Sequence, residues 1–443
     1  MALQSSVVYA ELKKSLSSLT VVIRLDSITR RWSFDEATID VETDRIVLIT
    51  SESKDALIFQ LEGIELSPLT CRGLKFLSSG EITLTAQLQK SGSDINIKDG
   101  VITKTVETVE TARTSFTSQQ SDMVDKVQRF QDKWYCSKCG QKLLSHNCIF
   151  SRILPLPSEN WSDFTDMWFC HKHDNDEDAV LDKGKLLPKS GECFIGDTYM
   201  LVNYSHTSPN SVRITEDSMA MCTRCSGQLG TQEVMESPDQ NGTTQMRDLS
   251  YQMCRCSNFV VEGFHGNKGC LKLYLHTIYI GNIDALTFED INRDVTRFEH
   301  FLSVLLIEQS RMFTSYRFII ESSTLPGRKI ECLVWLLDTD LTIFRGEGKI
   351  GHGQVEVKKE NVIKLLYKCK LSNNLQNRMS ECVTNAVVSL WKKDNSVHSL
   401  SLPYSTALQM MSTLIANTRC LPPSLRYLNG FHVSFLHLQG DIT

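Results

Sequence analysis

The amino-acid sequence predicts an α+β fold in three parts: an N-terminal antiparallel β domain, a middle region clasped by zinc knuckles, and a C-terminal mixed α+β domain. Three observations carry this reading. Residues 1–88 show period-two alternation and no long helical pattern. Two Cys-x-x-Cys pairs, Cys136/Cys139 and Cys222/Cys225, bracket the middle. From about Cys270 strand patterns mix with segments of helical period.

In residues 1–88 the alternation is clearest over Ala37–Val41 and Glu81–Leu88, with short apolar runs at Arg45–Ile49 and Ala56–Leu61. Polar turns separate these runs, so an antiparallel sheet or small sandwich follows. Residues 89–127 are rich in Ser, Thr, Lys and Asp and poor in aromatics, and read as a flexible polar linker. The zinc-knuckle region spans 128–232, and 233–269 reads as a polar insertion after the second knuckle. The acidic run from His173 to Asp178 is a solvated loop, because the glycine and distal glutamate of a calcium-binding loop are missing.

The 270–443 part opens with a strand over Leu271–Ile280. Thr287 stands at an N-cap position with Asp290 three residues on, and the helix that follows presents Ile291, Val295, Phe298, Leu302, Leu305 and Leu306 as one apolar face. Tyr316–Ile320, Lys329–Leu337 and Leu341–Phe344 predict a meander in which Asp338-Thr339-Asp340 turns the chain. A second helix begins near Ser405, presents Leu408, Met411, Leu414 and Ile415, and is stopped by Cys420-Leu421-Pro422-Pro423. A strand through Phe431, Val433 and Phe435 closes the domain.

Composition sets limits. A chain of 443 residues is too long for one ordinary core and implies two or three domains. Its hydrophobic share of 41% and charged share of 22% are those of a globular protein. No apolar run is long enough for a bilayer, and the N-terminus lacks a signal-peptide pattern, so no membrane partner is expected. A net charge of -5 argues against direct nucleic-acid binding, which calls for a basic face. The 15 cysteines are an odd number in a chain with no secretory feature. A reducing compartment, the cytosol with the nucleus as a second address, fits buried and metal-bound thiols better than disulfides.

The two pairs are copies of one device: Cys136-Ser137-Lys138-Cys139-Gly140 and Cys222-Thr223-Arg224-Cys225-Ser226-Gly227. Two intervening residues let a tight turn aim both sulfurs at one tetrahedral metal, and glycine after the second cysteine permits positive φ. Lys138 and Arg224 offset thiolate charge. Four thiolates leave Zn²⁺ no open position, so Cys136, Cys139, Cys222 and Cys225 are expected to hold a structural ion. The knuckles lie 82 residues apart, and His146 or Cys148 in the excursion could form a rival ligand set. Cys254-Arg255-Cys256 has poor spacing for one zinc and reads as unpaired surface cysteines.

Inside the excursion, Leu154-Pro155-Leu156-Pro157 fixes an extended path toward Trp161, then Met167-Trp168-Phe169-Cys170-His171 and Cys193-Phe194-Ile195-Gly196-Asp197 follow. Core packing explains aromatics beside a Cys-His pair. The other reading is a partner-binding arm formed by Trp161, Trp168, Cys170, His171 and Cys193, with Cys170 a possible ligand to a partner's metal.

These segments, with Cys71-Arg72-Gly73-Leu74-Lys75-Phe76, both knuckles, Trp335-Leu336-Leu337, Ser396-Val397-His398 and Leu421–Arg426, make the chain resemble the HECT-like ubiquitin-conjugating-enzyme-binding family. The resemblance implies a ubiquitin-protein ligase that accepts ubiquitin from a conjugating enzyme and passes it to targets such as cyclin B. From a distant branch it also implies a link to the metal-dependent nuclease of pre-mRNA 3′-end processing, and the alternative reading is a noncatalytic binding or chaperone factor for that nuclease, docking through residues 154–197 with Cys170 capping its zinc. Thioester transfer needs an exposed, activated cysteine. Cys332 lies in an apolar strand, Cys369 and Cys382 lie near strand patterns, and Cys420 ends a helix, so no catalytic cysteine is assigned.

Overall fold

The computed structural model describes residues 5–438 apart from 26–36, 51–55, 90–120, 157–186, 234–268, 283–287, 323–327, 350–352, 374–385 and positions 62, 78, 147, 197, 209, 217 and 356. The expected linker lies mostly outside the described residues, as do the expected polar insertion, the acidic run, Trp161, Trp168, Cys170, His171, Cys254, Cys256 and Cys382. What is described is mostly β. The chain divides into two units, one of Met1–Ile102 with Gln309–Gly440, the other of Thr103–Glu308 with Asp441–Thr443.

The first unit is built on a ten-stranded sheet. Its spine is the strand Arg328–Lys349, which runs beside Val357–Asn373 along one edge. Its other edge is shared: Arg317–Ser322 takes the first half and Ser5–Lys13 the second, both antiparallel. Ser18–Leu25, Glu81–Leu88 and Leu66–Phe76 continue the sheet outward. The pairing therefore crosses the boundary drawn between 1–88 and 270–443: the N-terminal strands complete a sheet whose centre comes from the C-terminal part.

The alternation of Ala37–Val41 and Glu81–Leu88 produces strands with those bounds. A four-stranded sheet of Ala37–Val41, Arg45–Thr50, Ala56–Gln60 and Gly353–Val355 buries Ile46, Leu48 and Phe59 against Val8, Ala10, Leu19, Val21, Ile82, Leu84 and Phe344. Gly353–Val355, from far along the chain, completes this sheet by pairing parallel with Ala56–Gln60.

Two local expectations are corrected. Asp338-Thr339-Asp340 does not reverse the chain; it is an irregularity inside one continuous strand, with register shifts at Leu336/Asp338 and Asp338/Leu341. The Asp338 side chain accepts from the Asp340 N–H at 3.0 Å, so local bonding that favours turns here stabilises a bulge. The helix Tyr404–Cys420 buries Ala407, Met410, Leu414, Asn417 and Thr418, while Leu408 and Ile415 are exposed. Polar residues hold that face: Thr418 Oγ1 donates to the Val433 carbonyl at 2.7 Å and Asn417 Nδ2 to the Phe435 carbonyl at 2.8 Å. A further departure is the bond between Cys332 and Cys369, which stand opposite each other on the two longest strands.

The second unit contains a seven-stranded sheet in the order Val212–Ile214, Met219–Cys222, Gln228–Glu233, Cys270–Tyr274, Tyr199–Asn203, Glu192–Ile195, Arg152–Pro155. The expected strand over Leu271–Ile280 is broken by a short 3-10 turn at Leu275–Thr277, after which Ile278–Ile280 pairs with Trp134–Cys136. The helix Phe288–Phe313 follows, and Phe298, Leu302 and Leu306 of its predicted apolar face are buried.

Candidate metal centre

Each knuckle begins where a strand ends. Trp134–Cys136 delivers the first pair and Met219–Cys222 the second, and both turns carry the same bonds. The N–H of Cys136 donates to the Gln141 carbonyl and that of Gly140 to the Cys136 carbonyl, both at 2.8 Å. In the second copy the Cys222 N–H donates to Gly227 at 2.8 Å and the Ser226 N–H to Cys222 at 2.9 Å. The positive φ falls on Gly140 (70°) in the first turn and on Ser226 (53°) in the second. Glycine was expected at that place in both, but Gly227 does a different job: a Cβ there would lie 3.2 Å from Cys225 Sγ.

The four sulfurs converge. Cys136 and Cys225 Sγ are 3.7 Å apart, Cys139 and Cys222 Sγ 3.6 Å, and all four lie within 4.8 Å of one another. Metal–sulfur bonds of ~2.3 Å in a tetrahedron place sulfurs about 3.8 Å apart, so the group can hold a metal ion. Arg224 Nη1 of the second turn donates to the Cys139 carbonyl of the first at 3.4 Å, and within the second turn the Gly227 N–H donates to Cys225 Sγ at 3.4 Å. Burial pushes the Cys136 thiol up, and the neighbouring sulfurs add to it. At Cys225 burial acts upward too but is outweighed by the Gly227 N–H and the other thiols. Cys136 and Cys222 are buried and the other two half-buried.

The rival ligands fall away. His146 is exposed, and Cys148 is buried in an apolar core with Trp134 and Phe150; neither joins the four-cysteine group. Cys193, expected on a partner-binding arm, is fully buried in that same core, because the inward face of Glu192–Ile195 carries Cys193 and Ile195. It has no surface to offer a partner. The four other residues of that arm lie outside the described ones.

One neighbour of the knuckles carried no sequence signal. His276 sits in the 3-10 turn after Cys270–Tyr274, and its carbonyl accepts from Ser137 Oγ at 3.4 Å. Its ring packs on Phe301 at 4.4 Å, Phe298 at 5.3 Å and Tyr274 at 5.8 Å, and its Nδ1 is buried without a partner. Burial drives its pKa down to about 3. A lone histidine between strand residues carries no hint of these ring contacts.

Among the described residues outside the metal group, Cys71 and Cys420 are the exposed free thiols. Partial burial pushes the Cys71 thiol up. Cys420 ends its helix beside the Arg345 guanidinium, which forks onto Glu360 at 2.6 and 2.7 Å. Arg345 comes from a strand 75 residues earlier in the chain, and its charge is already matched by Glu360.

The sequence profile of the HECT-like ubiquitin-conjugating enzyme (E2)-binding family matches residues 11–433, so the chain belongs to that family. Among curated proteins it is similar to an E3 ubiquitin-protein ligase of Homo sapiens, 27% identical over 383 residues that cover 85% of each chain. The corresponding ligase of Mus musculus is 26% identical over 392 residues, covering 85% of this chain and 84% of that one. An uncharacterised protein of Saccharomyces cerevisiae is 34% identical over 98 residues, 21% of this chain and 27% of its own. No solved structure matches.

Proposed function

We propose that this protein is a ubiquitin-protein ligase that binds a ubiquitin-conjugating enzyme and promotes transfer of ubiquitin to protein targets. The observation that carries the reading is the family match from 11 to 433, which takes in both structural units. Cyclin-type proteins such as cyclin B are the targets to test first, and the cytosol, with the nucleus, is the compartment that suits the reduced metal ligands. Transfer proceeds either through a thioester on this chain or by holding the charged conjugating enzyme near its target.

The ion we assign to Cys136, Cys139, Cys222 and Cys225 is Zn²⁺, which suits four thiolates in a tetrahedral set. It would be structural: with every position filled by protein sulfur it fixes the two turns and takes no part in transfer. Elemental analysis of the purified protein should find one zinc per chain, lost in Cys136→Ala.

The decisive assay loads a conjugating enzyme with ubiquitin and follows its discharge on adding this protein. Accelerated discharge onto a target is the expected result. A band on this chain that disappears with reductant selects the thioester route, and Cys420→Ala and Cys71→Ala then locate it. Unaltered discharge with no binding of any conjugating enzyme would defeat the proposal. The role as a docking factor for the 3′-end nuclease would then be the reading to pursue.

A further inference from the structure

Cys332 and Cys369 face each other across the antiparallel pairing of Arg328–Lys349 with Val357–Asn373; their sulfurs are joined and their Cα atoms are 4.1 Å apart. Cα atoms that close mark a directly opposed pair without its own ladder hydrogen bonds, where side chains are nearest. The two sulfurs are unequal. Cys332 is fully enclosed, while Cys369 is half-buried.

The position of the bond matters more than its presence. The segment between the two cysteines, which stand 37 apart in sequence, contains the second half of Arg328–Lys349, the short strand Gly353–Val355 and much of Val357–Asn373. These are the segments that receive the N-terminal strands: Leu341–Lys349 pairs with Ser5–Lys13, and Gly353–Val355 with residues 57–59. The bond therefore closes the neck of the hairpin on which the N-terminal part of this unit is mounted.

We propose that Cys332–Cys369 is a reversible redox link, opened from the Cys369 side by a dithiol reductant and re-formed by the reductant's disulfide. In the opening step a reductant thiolate attacks Cys369 Sγ, the S–S bond breaks, and Cys332 departs as a thiolate that takes a proton to become a thiol. The second thiol of the reductant then attacks the mixed disulfide, freeing Cys369 and leaving the reductant oxidised. Two electrons pass from the dithiol to the protein. The closed link holds the hairpin neck in register; the open form retains the ladder hydrogen bonds but loses the covalent tie.

The test uses the full-length zinc-loaded protein in glutathione buffers of graded reduced-to-oxidised ratio, quenched in acid, unfolded, alkylated and mapped by peptide mass. The linked fraction should follow the ratio, and the Tm should fall by roughly 5–10 °C as the link opens. In Cys332→Ala a glutathione adduct should accumulate on Cys369, whereas native Cys369→Ala should leave Cys332 unmodified. A linked fraction that stays at zero or at one across all ratios overturns the proposal, as does an adduct on native Cys332 or a Tm indifferent to the link. The wild-type titration decides even if either variant fails to fold.

Discussion

Ser226 takes the left-handed backbone conformation, φ 53°, at the point where the second knuckle returns to its strand. A residue with a Cβ pays ~1–2 kcal/mol there, and a β-branched side chain more. Ser226→Gly should therefore raise stability slightly and leave metal affinity intact. Ser226→Val should lower both, by about 1–2 kcal/mol in chemical unfolding and about tenfold in competition against a chelator. His276 makes a second residue-scale prediction, with a definite sign. The folded imidazole titrates near 3, against 6.5 for the ordinary value, because burial disfavours its charge. Below about pH 6.5 the unfolded chain takes the extra proton, so this histidine's contribution is complete above that pH and is lost as pH falls toward 3. Its share of the slope is about 1.4 kcal/mol per pH unit within the window. His276→Phe should remove that share, visible as a shallower fall of unfolding free energy between pH 6 and 4 than in wild type. Equal slopes would show that its aromatic surroundings do not hold His276 neutral.

At the scale of elements, Gly230 in Gln228–Glu233 stands out among the described glycines for its closeness to a neighbouring backbone. A Cβ built there would lie 1.8 Å from the Lys272 carbonyl oxygen on the neighbouring strand Cys270–Tyr274. Gly230→Ala should part these strands and cost several kcal/mol, read as a large drop in Tm or insoluble expression; an unchanged Tm would contradict the register. Element by element, much was legible in the sequence. Ala37–Val41 and Glu81–Leu88 alternate because one face of each is covered, and alternation is a local property. The knuckles were legible for the same reason: spacing alone aims two sulfurs. Partners were not legible. Nothing near Ser5–Lys13 announces that it lies against 341–349, since pairing register is settled by packing far along the chain. The sequence marks where the helix Tyr404–Cys420 runs but not which face it buries, because apolar periodicity cannot foresee Asn417 and Thr418 bonding to strand carbonyls. Arg345 beside Cys420 and the aromatic enclosure of His276 are contacts of the same unforeseeable kind.

For the whole molecule, division into two units gives metal removal a local signature. Stripping the ion with a strong chelator should raise amide exchange across 121–156, 187–233 and 269–282, where the knuckles close a single core. The Ser5–Lys13 and Arg328–Lys349 ladder should keep its protection. The opposite pattern would mean that the ion stabilises something other than its own unit. Residues 1–88 expressed alone should behave poorly, because Ser5–Lys13 loses one of its two neighbours and exposes a bare strand edge. Adding the 309–440 segment in trans should rescue its solubility.

The shared edge of Arg328–Lys349 has a consequence in time. Lys13 finds its partner at Leu341, so on the ribosome the first strands emerge about 330 residues before the strand that completes their sheet. At ~5–20 residues per second that is a wait of roughly 15–70 s with an apolar edge uncovered. Synthesis arrested anywhere between the two knuckles should therefore leave Ser5–Lys13 unpaired and the nascent chain prone to aggregate.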